Sequence, residues 1–236
     1  MARQHGYATK REEIARAAWT LFIEEGYRDT PVDKIIRTAG ISKGTLYHYF
    51  PTKRELLDHA VDTLFHTAWL QVRVIAMDSE ISPVAKLNAI THASLEWREA
   101  NPDAMWQFLR TTYSQGNLLL RRTLDARTVE SVAPNLALIL TEGVEEGVFT
   151  VNDPYEVSAL LLRLANTQRE ANAHDLMAED DREAILTAVA RRLDLFVECT
   201  ERILAAQPGS LDRPDKSFLA PLLAAKTRAQ QALQQP

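Results

Sequence analysis

One run of residues carries most of the chemistry legible in this chain: Ala39-Gly40-Ile41-Ser42-Lys43-Gly44-Thr45-Leu46-Tyr47-His48-Tyr49-Phe50, with Lys53 three residues on. Leu46 and Phe50 stand at i and i+4, so on a helix they share one inward face. That leaves Lys43, Thr45, Tyr47, His48 and part of Tyr49 on the other side. A cation, hydroxyls and an imidazole on a short exposed helix are the groups that reach base edges and phosphates in a major groove. Ser42 is placed to cap that helix, Gly44 lets its N-terminus approach another backbone closely, and the free N–H groups there favour phosphate. Gly40 can supply the positive φ that ends the preceding helix, and Ile41 can fill the angle between the two, which is helix-turn-helix geometry. The competing reading is a solvated helical hairpin with a few exposed aromatics. It requires the turn, cap, glycine and basic groups to coincide by chance.

The elements that must position this run are helical. Only eight glycines occur, none of them between Phe149 and Pro208. Apolar residues recur at helical spacing, for example Ile14, Ala17, Ala18, Leu21 and Phe22, then Val32, Ile35, Ile36 and Ala39, then Leu57, Ala60, Val61, Leu64, Phe65 and Ala68. A capping residue followed by proline occurs at Thr30-Pro31, Ser82-Pro83, Asn101-Pro102 and Asp153-Pro154, each readable as a helix start. The pattern predicts helices near 8–25, 31–39, 43–49, 53–77, 83–100, 102–114, 117–146 with a kink at Pro134, 154–175 and 180–206. After Gln207 comes Pro208-Gly209-Ser210 and then an Ala/Leu/Gln-rich stretch, read as a last helix or a mobile end. The expected fold is all-α, with about nine helices and a tenth in reserve. Residues 1–52 would form a three-helix DNA-binding domain, 53–207 a larger ligand-binding and dimerisation domain, and 208–236 a tail.

Composition is that of an ordinary globular chain: 46% hydrophobic and 25% charged residues over 236 positions. No apolar run is long enough to cross a bilayer and Met1 to Lys10 has no apolar leader, so a cytoplasmic protein without a membrane partner is expected. The lone Cys199, within a helical pattern, reads as a small packing residue. A net charge of −5 opposes a nucleic-acid partner until its distribution is considered. Residues 1–60 hold ten Lys/Arg against eight Asp/Glu, and the remainder seventeen against twenty-four. A mildly basic head on an acidic body is compatible with DNA binding through the head alone.

The segment Ala39 to Phe50 with Lys53 resembles the recognition segment of the tetracycline-repressor (TetR) family, nearly without gaps. A weaker resemblance to that family's ligand domains lies at Glu142-Gly143-Val144-Glu145-Glu146-Gly147-Val148-Phe149, followed by Asp153-Pro154. The resemblance implies a homodimeric transcription regulator, commonly a repressor, released from a palindromic operator by a small molecule. It implies that Thr30 and Tyr49 touch phosphates, that Lys43, Thr45, Tyr47 and His48 lie at the groove beside Ser42 and Gly44, and that Lys53 anchors the next helix. Pro31 departs from the family pattern, which often has a second threonine or a serine there, so the resemblance implies one phosphate contact fewer.

In the body, Leu160 and Leu164 on one helix, and Val189, Leu193, Phe196, Thr200 and Ile203 on the next, form seams that could pair two copies or cover their own core. Pairing is favoured because helix-turn-helix modules read two half-sites about 34 Å apart. Phe65, Trp69, His92, Trp97, Met105, Trp106, Phe108 and Tyr113 are candidates to line an effector pocket, although each alone is more often ordinary core. His59, Asp62 and His66, or His92 with Glu96, lack the ligand spacing of a zinc site, so no metal is expected and no cofactor either. Without a phosphate-binding glycine loop, a dinucleotide turn, a nucleophile elbow or a His-Glu-x-x-His element, nothing supports an enzyme. The alternative to a regulator is a helical small-molecule carrier with a non-functional DNA-binding domain.

Overall fold

The computed structural model describes residues 2–178, 181–214, 217 and 219–234, with side chains excepted at 2–6, 64, 115, 233 and 234. Within them the chain is helical and contains no strand. The helices are α1 (Ala2–Glu25), α2 (Val32–Thr38), α3 (Lys43–Tyr49), α4 (Lys53–Ala76), α5 (Pro83–Ala100), α6 (Pro102–Thr112), α7 (Leu118–Glu145), α8 (Pro154–Ala178), α9 (Arg182–Leu204) and α10 (Leu219–Gln234), with a 3₁₀ turn at Gln115–Asn117. The tail predicted as helix or mobile end is thus helical from 219; residues 215, 216, 218, 235 and 236 lie outside the described part. So does the start expected at 180 for α9, whose cap is Asp181, accepting from the Glu183 and Ala184 N–H groups.

Local chemistry explains most boundaries. Ser82 caps α5 by accepting from the Ala85 N–H at 3.3 Å, and Asp153 accepts from Glu156 N–H at 3.0 Å at the start of α8, each with proline at the first helical position. Thr30-Pro31 behaves differently. Pro31 itself is the cap residue of α2, with no side-chain hydrogen bond, while Thr30 points inward. Asn101 also turns away from the helix it precedes, its amide donating to the Trp97 carbonyl at 2.9 Å. Gly40 has φ +61°, the left-handed turn expected between α2 and α3. Pro134 lies inside α7.

The chain divides into two compact units. The first comprises Met1–Ala68 with Arg110–Arg127, and the second Trp69–Leu109 with Thr128–Pro236. The expected break at residue 53 is therefore displaced, because Leu56, Leu57, Ala60 and Val61 of α4 are fully buried with Ile14, Ala18, Phe22 and Ile35. Residues 110–127 join the same unit through Asn117: its Oδ1 accepts from the Tyr27 N–H at 2.9 Å and its Nδ2 donates to the Thr111 carbonyl at 2.8 Å. Three helices alone would expose that core; the added segments bury it.

In the second unit α8 packs along α9. Leu140, Phe149, Leu161 and Leu204 form one buried cluster, flanked by Val157 and Ile203. The Phe149 ring lies on Gly143, where an added Cβ would stand 2.0 Å from a ring carbon. That contact accounts for Gly143, the first of the two glycines in the segment Glu142 to Phe149. The Lys86 ammonium, 2% exposed, is neutralised by Glu142.

Candidate nucleic-acid interface

The first unit presents α3 as a two-faced helix. Leu46 and Phe50 are 3% and 1% exposed, while Ser42, Lys43, Gly44, Tyr47 and His48 lie at the surface, with Tyr47 44% exposed. The Ser42 hydroxyl accepts from the Thr45 N–H at 3.1 Å and sits 2.8 Å from the Thr45 hydroxyl, holding the first turn. A seven-residue helix has little stability of its own. The cap and the Leu46/Phe50 anchor hold it, and the outward side chains cover no core.

Aromatic contacts order the C-terminal half of that face. The ring of Tyr7, from α1, lies 4.5 Å from Tyr49 and edge-on to His48 at 5.9 Å, and His48 meets Tyr49 at 5.3 Å. Tyr7 was not among the sequence candidates, being more than forty positions from the rings it orients. Beneath this layer Arg11 stands over the Phe50 ring at 5.1 Å, and Phe50 packs on His59. Burial lowers the His59 pKa below the usual imidazole value, the Arg11 charge lowers it further, and Glu12 opposes them. His59 is therefore held toward its neutral form as it packs on Phe50.

Lys53 fixes the start of α4. Its ammonium donates to the Tyr27 carbonyl and lies 4.5 Å from the Tyr27 ring centroid and 5.8 Å from that of Phe22. Burial lowers its pKa, with Asp29 opposing. Thr30 is corrected: it is 1% exposed and its hydroxyl donates to the Gly26 carbonyl at 2.7 Å, so it ties the end of α1 to α2 and presents nothing to a phosphate. Several cations of this unit are neutralised, Lys10 by Glu13, Arg16 by Glu12, Lys34 by Glu25 and Arg54 by Asp58. Exposed Lys43 has no such pair among the described residues. Its charge is the one α3 can offer to an anion.

The second unit holds a cavity of about 350 Å³. Its walls come from α5, α6, α7, α8 and α9, and from Leu211, Asp212, Pro214, Leu219 and Leu222 of the C-terminal segment. Of the eight effector candidates only Met105 is on its lining. His92 is exposed and off the lining, 3.0 Å from the lining residue Asp212. Phe65 meets Trp19 edge-on in the first unit, Tyr113 is also buried there beneath Arg121, Trp106 is buried, and Trp97 is 55% exposed. Trp69 and Phe108 are half-buried and off the lining. The C-terminal wall was missed because its anchor is a long-range one. Glu201, 4% exposed, accepts from the Gly209 N–H at 2.8 Å and the Leu211 N–H at 3.0 Å, and Asn88 Oδ1 accepts from the Asp212 N–H at 3.0 Å.

The seam expected on α9 is likewise corrected. Val189, Leu193, Phe196 and Thr200 line the cavity, and Ile203 packs on the Phe149 cluster, so α9 turns this stripe into its own unit. A three-four stripe identifies an apolar face without identifying what it faces. Leu160 and Leu164 on α8 remain 45% and 36% exposed, and Leu195 on α9 is 52% exposed. Among the described residues no group of His, Cys, Asp or Glu could hold a metal ion, and no helix is long and apolar enough to cross a membrane.

Comparison with known proteins agrees with this geometry. Residues 14–60 match the family described as bacterial regulatory proteins, tetR family. The repressor KstR2 of Mycolicibacterium smegmatis is 32% identical over 89 residues, which are 38% of this chain and 43% of that protein. The chain thus spans less than half the length of the KstR2 repressors it matches. Across nearly the full length, the fold is similar to a TetR-family regulator from Pectobacterium atrosepticum (20% identity, TM-score 0.58, 89% of this chain and 98% of that one). It is similar also to SmeT, the repressor of the Stenotrophomonas maltophilia efflux pump SmeDEF (18% identity, TM-score 0.58, 87% and 95%), which has in addition been solved as a complex with triclosan. Residues 14–60 thus resemble the tetR-family domain, and the chain as a whole has the fold seen in TetR-family regulators.

Proposed function

We propose that the protein is a sequence-specific, DNA-binding transcription regulator of the repressor type, acting as a homodimer on a palindromic operator and released by a small molecule held in the cavity of the second unit. The observation that carries this reading is the two-faced α3: Leu46 and Phe50 anchor it while Lys43, Gly44, Tyr47 and His48 stand outward with no core to cover. Such a helix, capped by Ser42 and ordered from behind by Tyr7, is shaped for a major groove. Tyr49 and Lys43 would reach phosphates, and Tyr47, His48 and Thr45 base edges. The repressors among the relatives of residues 14–60 favour the same reading.

A two-fold dimer would supply the second half-site. Leu160 and Leu164 on α8, with Leu195 on α9, are the exposed apolar side chains available to such an interface. Helices α4, α6 and α7 each continue from one unit into the other, so a ligand that alters the second unit has three covalent routes to the first. The ligand acts only if it binds the released state more tightly than the DNA-bound one.

The test is anisotropy of a labelled duplex titrated with the full chain over a range of salt concentrations. Each phosphate neutralised contributes about 0.9 to the slope of log affinity against log salt. Lys43→Ala in both copies is expected to flatten that slope by about 1.8 and to weaken binding. An unchanged slope and affinity would remove Lys43 from the interface, and absence of binding at low salt would remove the DNA reading.

A further inference from the structure

The cavity carries information about its occupant. Its lining is predominantly aliphatic, with Leu95, Leu136, Leu161, Leu193, Phe196 and Leu222 representative. Three charged residues interrupt it: Arg98, Arg169 and Asp212. Asp212, the one carboxylate on the wall, already meets His92 Nε2 at 3.0 Å. Arg98 is engaged within the protein. Arg169 is half-buried and has no carboxylate or carbonyl partner among the described residues.

A second group points the same way. Asn172 stands three residues beyond Arg169 on α8, on the face that also brings Ala165, Ala173 and Leu176 to the cavity. Its Oδ1 accepts from the Arg192 guanidinium at 3.0 Å, and that guanidinium is neutralised by Asp175 at 2.6 Å. An arginine only donates, so the amide orientation is fixed and the Asn172 Nδ2 donors face the other way without a partner. The neighbouring Gln168 is tied through its own amide to the Arg192 carbonyl at 3.0 Å. One patch of a largely aliphatic wall therefore offers a guanidinium fork and an amide N–H₂, both donors and both unmatched. Leaving such donors in a site from which a ligand excludes water costs affinity unless the ligand supplies acceptors and negative charge.

We propose that the effector is a largely apolar molecule bearing one anionic group, a carboxylate in the simplest case, with the anion held by Arg169 and Asn172 Nδ2 and the apolar body lying against the leucines and Phe196. This deepens the effector part of the proposed function and rests on the cavity being the effector site. A planar carboxylate fits the guanidinium in bidentate fashion, which a neutral polar group cannot do. The cavity volume of about 350 Å³ is at the small end of the usual range for such sites, roughly 300–1,000 Å³, which favours a single compact acid.

The experiment is calorimetric titration of the full-length protein with straight-chain carboxylates from hexanoate to tetradecanoate, each paired with the alcohol of the same length, on the unaltered protein and on Arg169→Gln and Arg169→Lys. At least one carboxylate is expected to bind at least tenfold more tightly than its alcohol. Arg169→Gln is expected to weaken that acid by about ten- to a hundredfold while leaving the alcohol unchanged, and Arg169→Lys to restore part of the loss. Melting of the two variants without ligand separates loss of binding from loss of fold. Equal binding of acids and alcohols, an acid preference that survives Arg169→Gln, or no binding by any acid overturns the proposal. Operator binding measured on the same samples keeps the two readings apart: Arg169-dependent acid binding without release of DNA would refute effector control and leave the ligand class standing.

Discussion

Glu201→Gln tests how the C-terminal segment is held against the cavity. In the structure one carboxylate oxygen of Glu201 accepts from two backbone N–H groups, Gly209 at 2.8 Å and Leu211 at 3.0 Å. Gln preserves the shape and one acceptor oxygen and removes the charge. Hydrogen bonds to a charged group contribute about 1.5–3 kcal/mol and neutral ones about 0.5–1.5, so two bonds lose about 2 kcal/mol together. In a chain of this size that corresponds to about 4–8 °C in melting temperature if the second unit melts cooperatively. The pH dependence has a definite sign. Burial pushes the Glu201 carboxyl up, but the backbone N–H groups of Leu211, Gly209 and Ser210 and the charge of Arg213 outweigh it and hold the pKa below the usual carboxylate value. A depressed pKa gives stability that is complete above the unfolded value of about 4.3 and is lost as pH falls through the folded one. The difference between the unaltered protein and Glu201→Gln is therefore expected at neutral pH and should shrink below about pH 4. The assay is thermal melting at a series of pH values, with amide exchange at Gly209 and Leu211 as the local readout. Equal stability at neutral pH and unaltered exchange at both amides would refute the reasoning.

Two further outcomes follow from packing. Gly143→Ala places a Cβ 2.0 Å from the Phe149 ring and should cost about 1–3 kcal/mol or more, read as a lower denaturant midpoint; Phe149→Ala in the same chain should relieve the clash, and a neutral Gly143→Ala would mean the ring moves freely. Leu160→Glu puts a charge on an exposed apolar face of α8 and is expected to turn dimer into monomer in sedimentation without altering helix content, whereas an unchanged dimer would place the interface elsewhere.

The two-faced helix α3 was legible in the sequence because its determinants are local. Ser42 to Thr45 is a capping contact, Leu46 and Phe50 share a face at i and i+4, and Gly40 alone among its neighbours tolerates φ +61°. Thr30 was misread for the opposite reason. A threonine before a proline can cap a helix or face a phosphate, and only the approach of the Gly26 carbonyl decides that its hydroxyl turns inward. Tyr7 could not be foreseen, since its role depends on where α1 lies against α3. The effector candidates chosen for their aromatic rings fell mostly on α4, α5 and α6, yet the cavity is walled mainly by aliphatic residues of α5, α8 and α9 and by the tail. Periodicity identified those faces correctly and left open whether they meet a partner, a core or an empty space. No sequence motif singles out Arg169 or Asn172 on α8. Their unmatched donors become visible only once the ion pair of Arg192 with Asp175 is placed.

The central claim is that the outward face of α3 reads DNA sequence. Its most direct test is selection of bound sequences from random duplex DNA by the full chain, with Tyr47→Ala, which removes an exposed ring that covers no core, as the control. The account predicts enrichment of a two-fold symmetric motif with half-sites about one helical turn apart, lost in the Tyr47→Ala protein although that protein folds and melts as before. Failure to enrich any motif at low salt, or the same motif enriched by both proteins, would contradict it.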